Sequence, residues 1–229
     1  FNKEQICRKM DEAAASGAKI IVFPELCVTG YTCSDLFTQD VLLDHAREVL
    51  TEIAAHTRDM DALVFVGAPL AVDGELYNVA AAMNHGKILG LTTKTFLPNY
   101  GEFYEARQFA PAPEETGEVI LDGKKVPFGT RLLFACPEME ELTVAAEICE
   151  DLWVPEPPSI HHALAGATVL VNLSASDEVT GKDRYRRNLV AGQSARLVCA
   201  YLYATAGEGE STTDLVFGGQ NLIGENGQI

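Results

Sequence analysis

Four apolar runs in this sequence stop at residues that can do chemistry. IIVFPE ends at Glu25, KILGLTTK at Lys94, LTVAAEIC at Cys149, and TVLVNLSAS at Ser174 and Ser176. Together, a carboxylate, an ammonium and a thiol suffice for acyl transfer: a base takes the thiol proton, sulfur attacks, and a cation holds the oxyanion. Singly, each residue has a plainer reading. Cys149 is core filler, Lys94 a solvated strand end, Glu25 a helix-start carboxylate and Ser176 an N-cap. Cys149 poses the sharper question. In TVAAEICEDLW, residues 143–153, it stands among Glu147, Glu150 and Asp151, and nearby negative charge disfavours the thiolate. An active Cys149 therefore needs a proton acceptor and a compensating cation from elsewhere in the chain.

The surrounding pattern says what must position these residues. Residues 3–16 carry Ile6, Met10 and Ala13/Ala14 at helical spacing and stop at Gly17. LLDHAREVLTEIAAH places Leu43, Ala46, Leu50 and Ile53 on one helix face, and further helices are expected near 159–166 and 182–197. Between them lie short apolar runs: AKIIVFPEL, ALVFVGAPL, a pair near 76–93 joined across NHGK as an antiparallel hairpin, LTVAAEIC, ATVLVNLSAS and VCAYLYATAG. The closing DLVFGGQNLIGENGQI reads as strands with Gly-rich turns. Apolar strands separated by helices predict an α/β fold in one domain, its strands buried on both faces. In open α/β sheets, ligands bind beyond the carboxyl ends of strands. If the four runs lie side by side, their polar ends meet at one rim.

Composition narrows the classes. The chain has 229 residues, 47% hydrophobic and 22% charged, with a formal net charge of −16. Such acidity repels nucleic-acid phosphates and anionic lipid, so nucleic-acid and membrane roles are disfavoured. No apolar run approaches the roughly 20 residues of a membrane helix. Cysteines 7, 27, 33, 136, 149 and 199 form no CxxC pair, which reads as reduced thiols in a cytoplasmic protein. No spacing argues for a metal site.

FPELCVTGY, KTFLPNYGEFYE and EICEDLWVP resemble the three signature segments of the nitrilase (carbon-nitrogen hydrolase) superfamily. More narrowly, VFPELCVTGYTCSDLF, KTFLPNYGEFYEARQF, NLSASDEVTGKDRYRRN and GGQNLIGENG are similar to the amino-terminal glutaminase domains of the glutamine-dependent NAD synthetases. The resemblance covers essentially all of residues 1–229, as one nitrilase-like glutaminase domain. It implies an α-β-β-α four-layer sandwich, here expected to be truncated at both ends and without the carboxy-terminal synthetase domain.

By the same resemblance the triad is Glu25, Lys94 and Cys149. A further glutamate recurs beside that triad, and Glu102 in YGEFYE is the matching candidate. The amide of Glu150, following the nucleophile, is the second oxyanion donor. Glutamine is the implied substrate, with Tyr100, Ser176 and Lys182 at its α-amino and α-carboxylate ends and Tyr31, Glu150 and Trp153 as pocket walls. Lys182 stands where other members often carry Arg, which puts a bidentate contact in doubt. The DRYRR cluster, residues 183–187, reads as the solvated first turns of a helix or a surface for a partner domain.

The resemblance further implies a synthetase domain of the same polypeptide as partner, a homo-oligomer, no cofactor for this domain, and ATP with Mg²⁺ for the synthetase domain. This chain contains neither an SGGxDS loop nor GxxxxGK[ST]. Two other readings stay open: a freestanding nitrilase-type amidase or carbamoylase, and a non-catalytic assembly module.

Overall fold

The computed structural model describes all 229 residues. In chain order the elements are α1 (Asn2–Ala15), β1 (Ile20–Val22), α2 (Asp40–His56), β2 (Leu63–Val72), β3 (Glu75–Asn84), β4 (Lys87–Thr93), β5 (Gly117–Leu121) and β6 (Lys124–Phe128). There follow β7 (Phe134–Ala135), β8 (Thr143–Ile148), α3 (Pro158–Leu164), β9 (Val169–Ser174), α4 (Lys182–Leu197), β10 (Ala200–Thr205) and β11 (Leu222–Glu225).

The strands form two sheets. One has the order β1-β2-β3-β4-β6-β5, the other β11-β10-β9-β8-β7. Alternation along each strand divides the apolar side chains between layers. From β2, Val64 and Val66 join Met10 of α1 and Leu50 and Ile53 of α2 in an outer core. Phe65, between them, turns the other way and meets Ala80, Ala146, Ile148, Val171 and Leu173 in the layer between the sheets. Beyond the second sheet, Ala145, Leu170, Tyr201 and Tyr203 pack with Val190 of α4. The order is therefore helices, sheet, sheet, helices: the expected α-β-β-α sandwich. The antiparallel hairpin across NHGK is β3 and β4, paired from Val79↔Thr93 to Asn84↔Lys87.

Two expectations change, and one hairpin is new. The four chemistry-bearing runs do not share one sheet: Glu25 and Lys94 leave the first, Cys149 and Ser174 the second. The hairpin of β5 and β6 went unread, because its short strands are half exposed and carry charges (GEVIL, KKVPF) that blur the apolar signal. The closing segment supplies one named strand, β11, with an isolated bridge from Phe217 to Asp177. Its glycines serve close backbone approach instead: a Cβ on Gly207 would meet the Gly219 Cα at 2.9 Å.

Candidate active site

Glu25 reaches its place through a glycine. The segment Pro24–Leu26 crosses β2 at Gly67, where a Cβ would lie 2.4 Å from the Leu26 nitrogen and 2.5 Å from the Pro24 oxygen. No other residue allows that approach. The Val28 amide donates to the Gly67 carbonyl at 3.1 Å, and Leu26 takes a φ of 51°. The chain thereby turns the Glu25 side chain inward, fully buried.

There its Oε1 accepts from Lys94 Nζ at 2.6 Å and from Asn78 Nδ2 at 2.7 Å. Its Oε2 accepts from the backbone amide of Ala175, just past β9, at 2.9 Å. Glu25 thus ties the first sheet to the second.

Lys94 follows β4 and is 1% exposed. Its ammonium also contacts both oxygens of Glu105 at 2.7 Å, and Glu105 accepts from the Tyr31 hydroxyl at 2.7 Å. Burial alone would lower the Lys94 pKa, but Glu105 and Glu25 outweigh it and hold the group well above its ordinary value. Burial pushes Glu105 up to about 7, against the pull of Lys94.

Cys149 opens a short 3-10 turn, Cys149–Leu152, directly after β8. Its φ is 44°, a left-handed conformation that side chains other than glycine adopt only under constraint. The constraint is visible: the Cys149 amide donates to Asn172 Oδ1 at 3.2 Å, and Asp151 Oδ2 accepts the preceding Ile148 amide at 3.0 Å. The thiol pKa is raised well above its ordinary value, by burial first, then by Glu25 and Glu105, with Lys94 opposing.

The acidic corner that the sequence presents is dispersed. Glu147 lies behind the strand, bonded to Tyr201 and to the Ser159 amide. Asp151 takes backbone amides, and Glu150 accepts from Tyr100. The carboxylates that help to raise the thiol pKa come instead from distant positions, 25 and 105.

The other expected residues divide. Glu102 is exposed and the structure gives it no bond to Lys94. The glutamate that shares Lys94 with Glu25 is Glu105, in the same YGEFYE, because the turn Glu105–Arg107 points that side chain inward. Tyr100 donates to both oxygens of Glu150 at 3.0 Å. Lys182 pairs with Asp177 and lies 5.2 Å from the Trp153 ring centre and 5.9 Å from that of Phe103. Trp153 stacks on Tyr185 at 5.5 Å. Tyr31 stands apart from these, holding Glu105.

Ser176 is buried, its hydroxyl accepting from Arg186 Nη2 at 3.2 Å. Arg186 corrects the solvated reading of DRYRR. Positions 186, 190, 193 and 194 are the buried face of α4, and the guanidinium also donates to the Asp177 carbonyl at 2.9 Å, Glu178 at 3.2 Å and Gln220 at 2.6 Å. Asn78 and Asn172 went unread because an isolated polar residue shows no spacing to mark it.

A buried thiol, two buried carboxylates and one ammonium between them can carry out acyl transfer at an amide carbon. Residues 2–229 match the family described as Carbon-nitrogen hydrolase. This chain belongs to the carbon-nitrogen hydrolase family. Within that family it is 47% identical over 213 residues to a glutamine-dependent NAD(+) synthetase of Mycobacterium tuberculosis, covering 93% of this chain and 31% of that protein. A namesake from Aquifex aeolicus is 32% identical, with 97% and 35% covered. The carbon-nitrogen hydrolase chain thus spans about a third of the length of the curated relatives it matches. Among solved structures, a glutamine-dependent NAD(+) synthetase from Cytophaga hutchinsonii superimposes with a TM-score of 0.88 at 34% identity, covering 99% of this chain and 36% of that one. An amidase of the nitrilase superfamily from Nesterenkonia gives 0.75 at 21% identity, covering 100% and 78%, a likeness of fold alone. No helix is long and apolar enough to cross a membrane.

Proposed function

We propose that this chain is the glutamine-hydrolysing domain, residues 1–229, of a larger NAD synthetase. One observation carries the reading: Lys94 is buried between Glu25 and Glu105 and its charge bears on Cys149, in a chain whose relatives at 32% to 47% identity bear that name.

Glu25 takes the thiol proton as Cys149 Sγ attacks the side-chain carboxamide carbon of L-glutamine. Lys94 Nζ and the Glu150 amide hold the oxyanion. Glu25 passes its proton to the nitrogen, the C–N bond breaks, and ammonia leaves a γ-glutamyl thioester. Water then gives a proton to Glu25 and attacks the carbonyl. The C–S bond breaks, sulfur regains the proton, and glutamate departs. The high thiol pKa suits this order, since the proton moves as sulfur attacks and no free thiolate accumulates. Glu105 keeps Lys94 charged and aimed. Tyr100, Glu150, Ser176 and Lys182, with Trp153 as a wall, form the side that takes the α-amino and α-carboxylate groups.

The ammonia goes to amidation of nicotinic acid adenine dinucleotide by a synthetase domain of the same polypeptide, which uses ATP and Mg²⁺. Neither phosphate loop is present in this chain, so no step here runs through ATP. The assembled protein is cytoplasmic and homo-oligomeric in this reading.

The test is ammonia release from glutamine by the full-length protein carrying this chain, against Cys149→Ala. NAD formation from free ammonium is followed in parallel. Loss of the glutamine reaction with retention of the ammonium reaction is expected. A variant that still hydrolyses glutamine sinks the triad reading. A wild type that prefers another amide and makes no NAD is a freestanding amidase.

A further inference from the structure

Asp151 is fully buried, and no cation is paired with it. Its three partners are all backbone amides. Oδ1 accepts from Thr95 at 3.1 Å and Phe96 at 2.8 Å, and Oδ2 accepts from Ile148 at 3.0 Å. Thr95 and Phe96 are the two residues after Lys94, and Ile148 is the residue before Cys149. One carboxylate therefore joins the backbone on which the ammonium is mounted to the backbone on which the nucleophile is mounted. Those two segments leave different sheets and are 55 positions apart, from Lys94 to Cys149.

We propose that Asp151 is a positioning residue, a clamp that sets the distance and angle between Cys149 Sγ and Lys94 Nζ and so the placement of the oxyanion. The role deepens the glutaminase reading and rests on it. A carboxylate is what the position requires. Three donors converge on it from two directions, and only a group with acceptors on both oxygens satisfies all three. Asparagine satisfies one side and turns its own N–H₂ towards donors on the other. Alanine leaves three buried amides unpaired. The same clamp accounts for the left-handed φ of Cys149: with Ile148 held by Asp151 and the Cys149 amide held by Asn172, the turn has no freedom to relax.

The experiment compares wild type, Asp151→Asn and Asp151→Ala in the full-length protein. It reads kcat and KM for glutamine, and separately the rate at which iodoacetamide alkylates Cys149 without substrate. Expected for Asp151→Asn is a folded protein with kcat lower by about 10²-fold, the scale of a misplacement near 1 Å, and KM within about threefold, since transition-state contacts and not ground-state binding are lost. The alkylation rate is expected to change alongside kcat. Unchanged kcat and unchanged alkylation in a folded variant overturn the clamp. So does a rise in KM alone. If the wild type does not hydrolyse glutamine, the glutaminase reading fails, while the alkylation rate still decides the clamp. Should neither variant fold, amide exchange in the wild type decides: slow, concerted exchange at Thr95, Phe96 and Ile148 supports the clamp, and fast exchange at any of them overturns it.

Discussion

Lys94 Nζ lies 2.7 Å from both oxygens of Glu105, closing a fork on one buried ammonium whose other anion, Glu25, sits at 2.6 Å. Two carboxylates share this one cation, beside a thiol whose pKa burial raises. Glu105 gives the ammonium a second carboxylate partner besides Glu25, the residue that exchanges a proton in the proposed reaction.

That arrangement separates two glutamates three residues apart. Glu105→Gln removes the fork's charge and is expected to lower glutamine hydrolysis at least about 10²-fold, the usual scale for losing a preorganised electrostatic contact. Glu102→Gln, at an exposed position, is expected to leave the rate within about twofold, as most surface changes do. Steady-state ammonia release from the two variants checks the pair. Equal losses would mean that Glu102 and not burial matters.

The pH dependence of stability follows from the same residue. Glu105 is raised to about 7 by burial against Lys94, whereas an unfolded glutamate titrates near its ordinary value of about 4.3. Across that window the folded chain holds a proton that the unfolded chain has released. Its contribution is complete below the unfolded value and is lost as pH rises through about 7. Relative to Glu105→Gln, the wild type is expected to lose stability over this window, at no more than about 1.4 kcal/mol per pH unit. Urea unfolding of both proteins at stepped pH measures the difference. A wild type that gains on the variant as pH rises contradicts it.

Arg186 offers a contrast to the triad. Its guanidinium fixes Ser176, Asp177 and Glu178 at once and reaches Gln220 on the far segment. Arg186→Lys keeps the charge but lacks the planar fork. It is expected to raise KM for glutamine about tenfold or more while changing kcat less, the signature of weakened binding. Arg186→Ala leaves buried acceptors and Glu178 without a partner, at a cost of about 3–5 kcal/mol. A kcat-only effect of Arg186→Lys would place the guanidinium's influence at the sulfur instead.

Residue order alone determined a good deal. Helical spacing in 3–16, the hairpin across NHGK and the apolar runs ending at Glu25, Lys94 and Cys149 were legible because backbone periodicity is local: a strand shows every second side chain and a helix every third or fourth. Motif resemblance then brought the three residues together and implied the sandwich. What the sequence could not decide was which carboxylates face the thiol. Glu147, Glu150 and Asp151 are its neighbours along the chain, yet each is turned to other donors, while Glu25 and Glu105 arrive from the opposite sheet. Nor could it tell Glu105 from Glu102, or a buried Arg186 from its solvated neighbours. Electrostatics acts through space in a water-poor interior, and which charges share that interior is settled only when the two sheets close on each other.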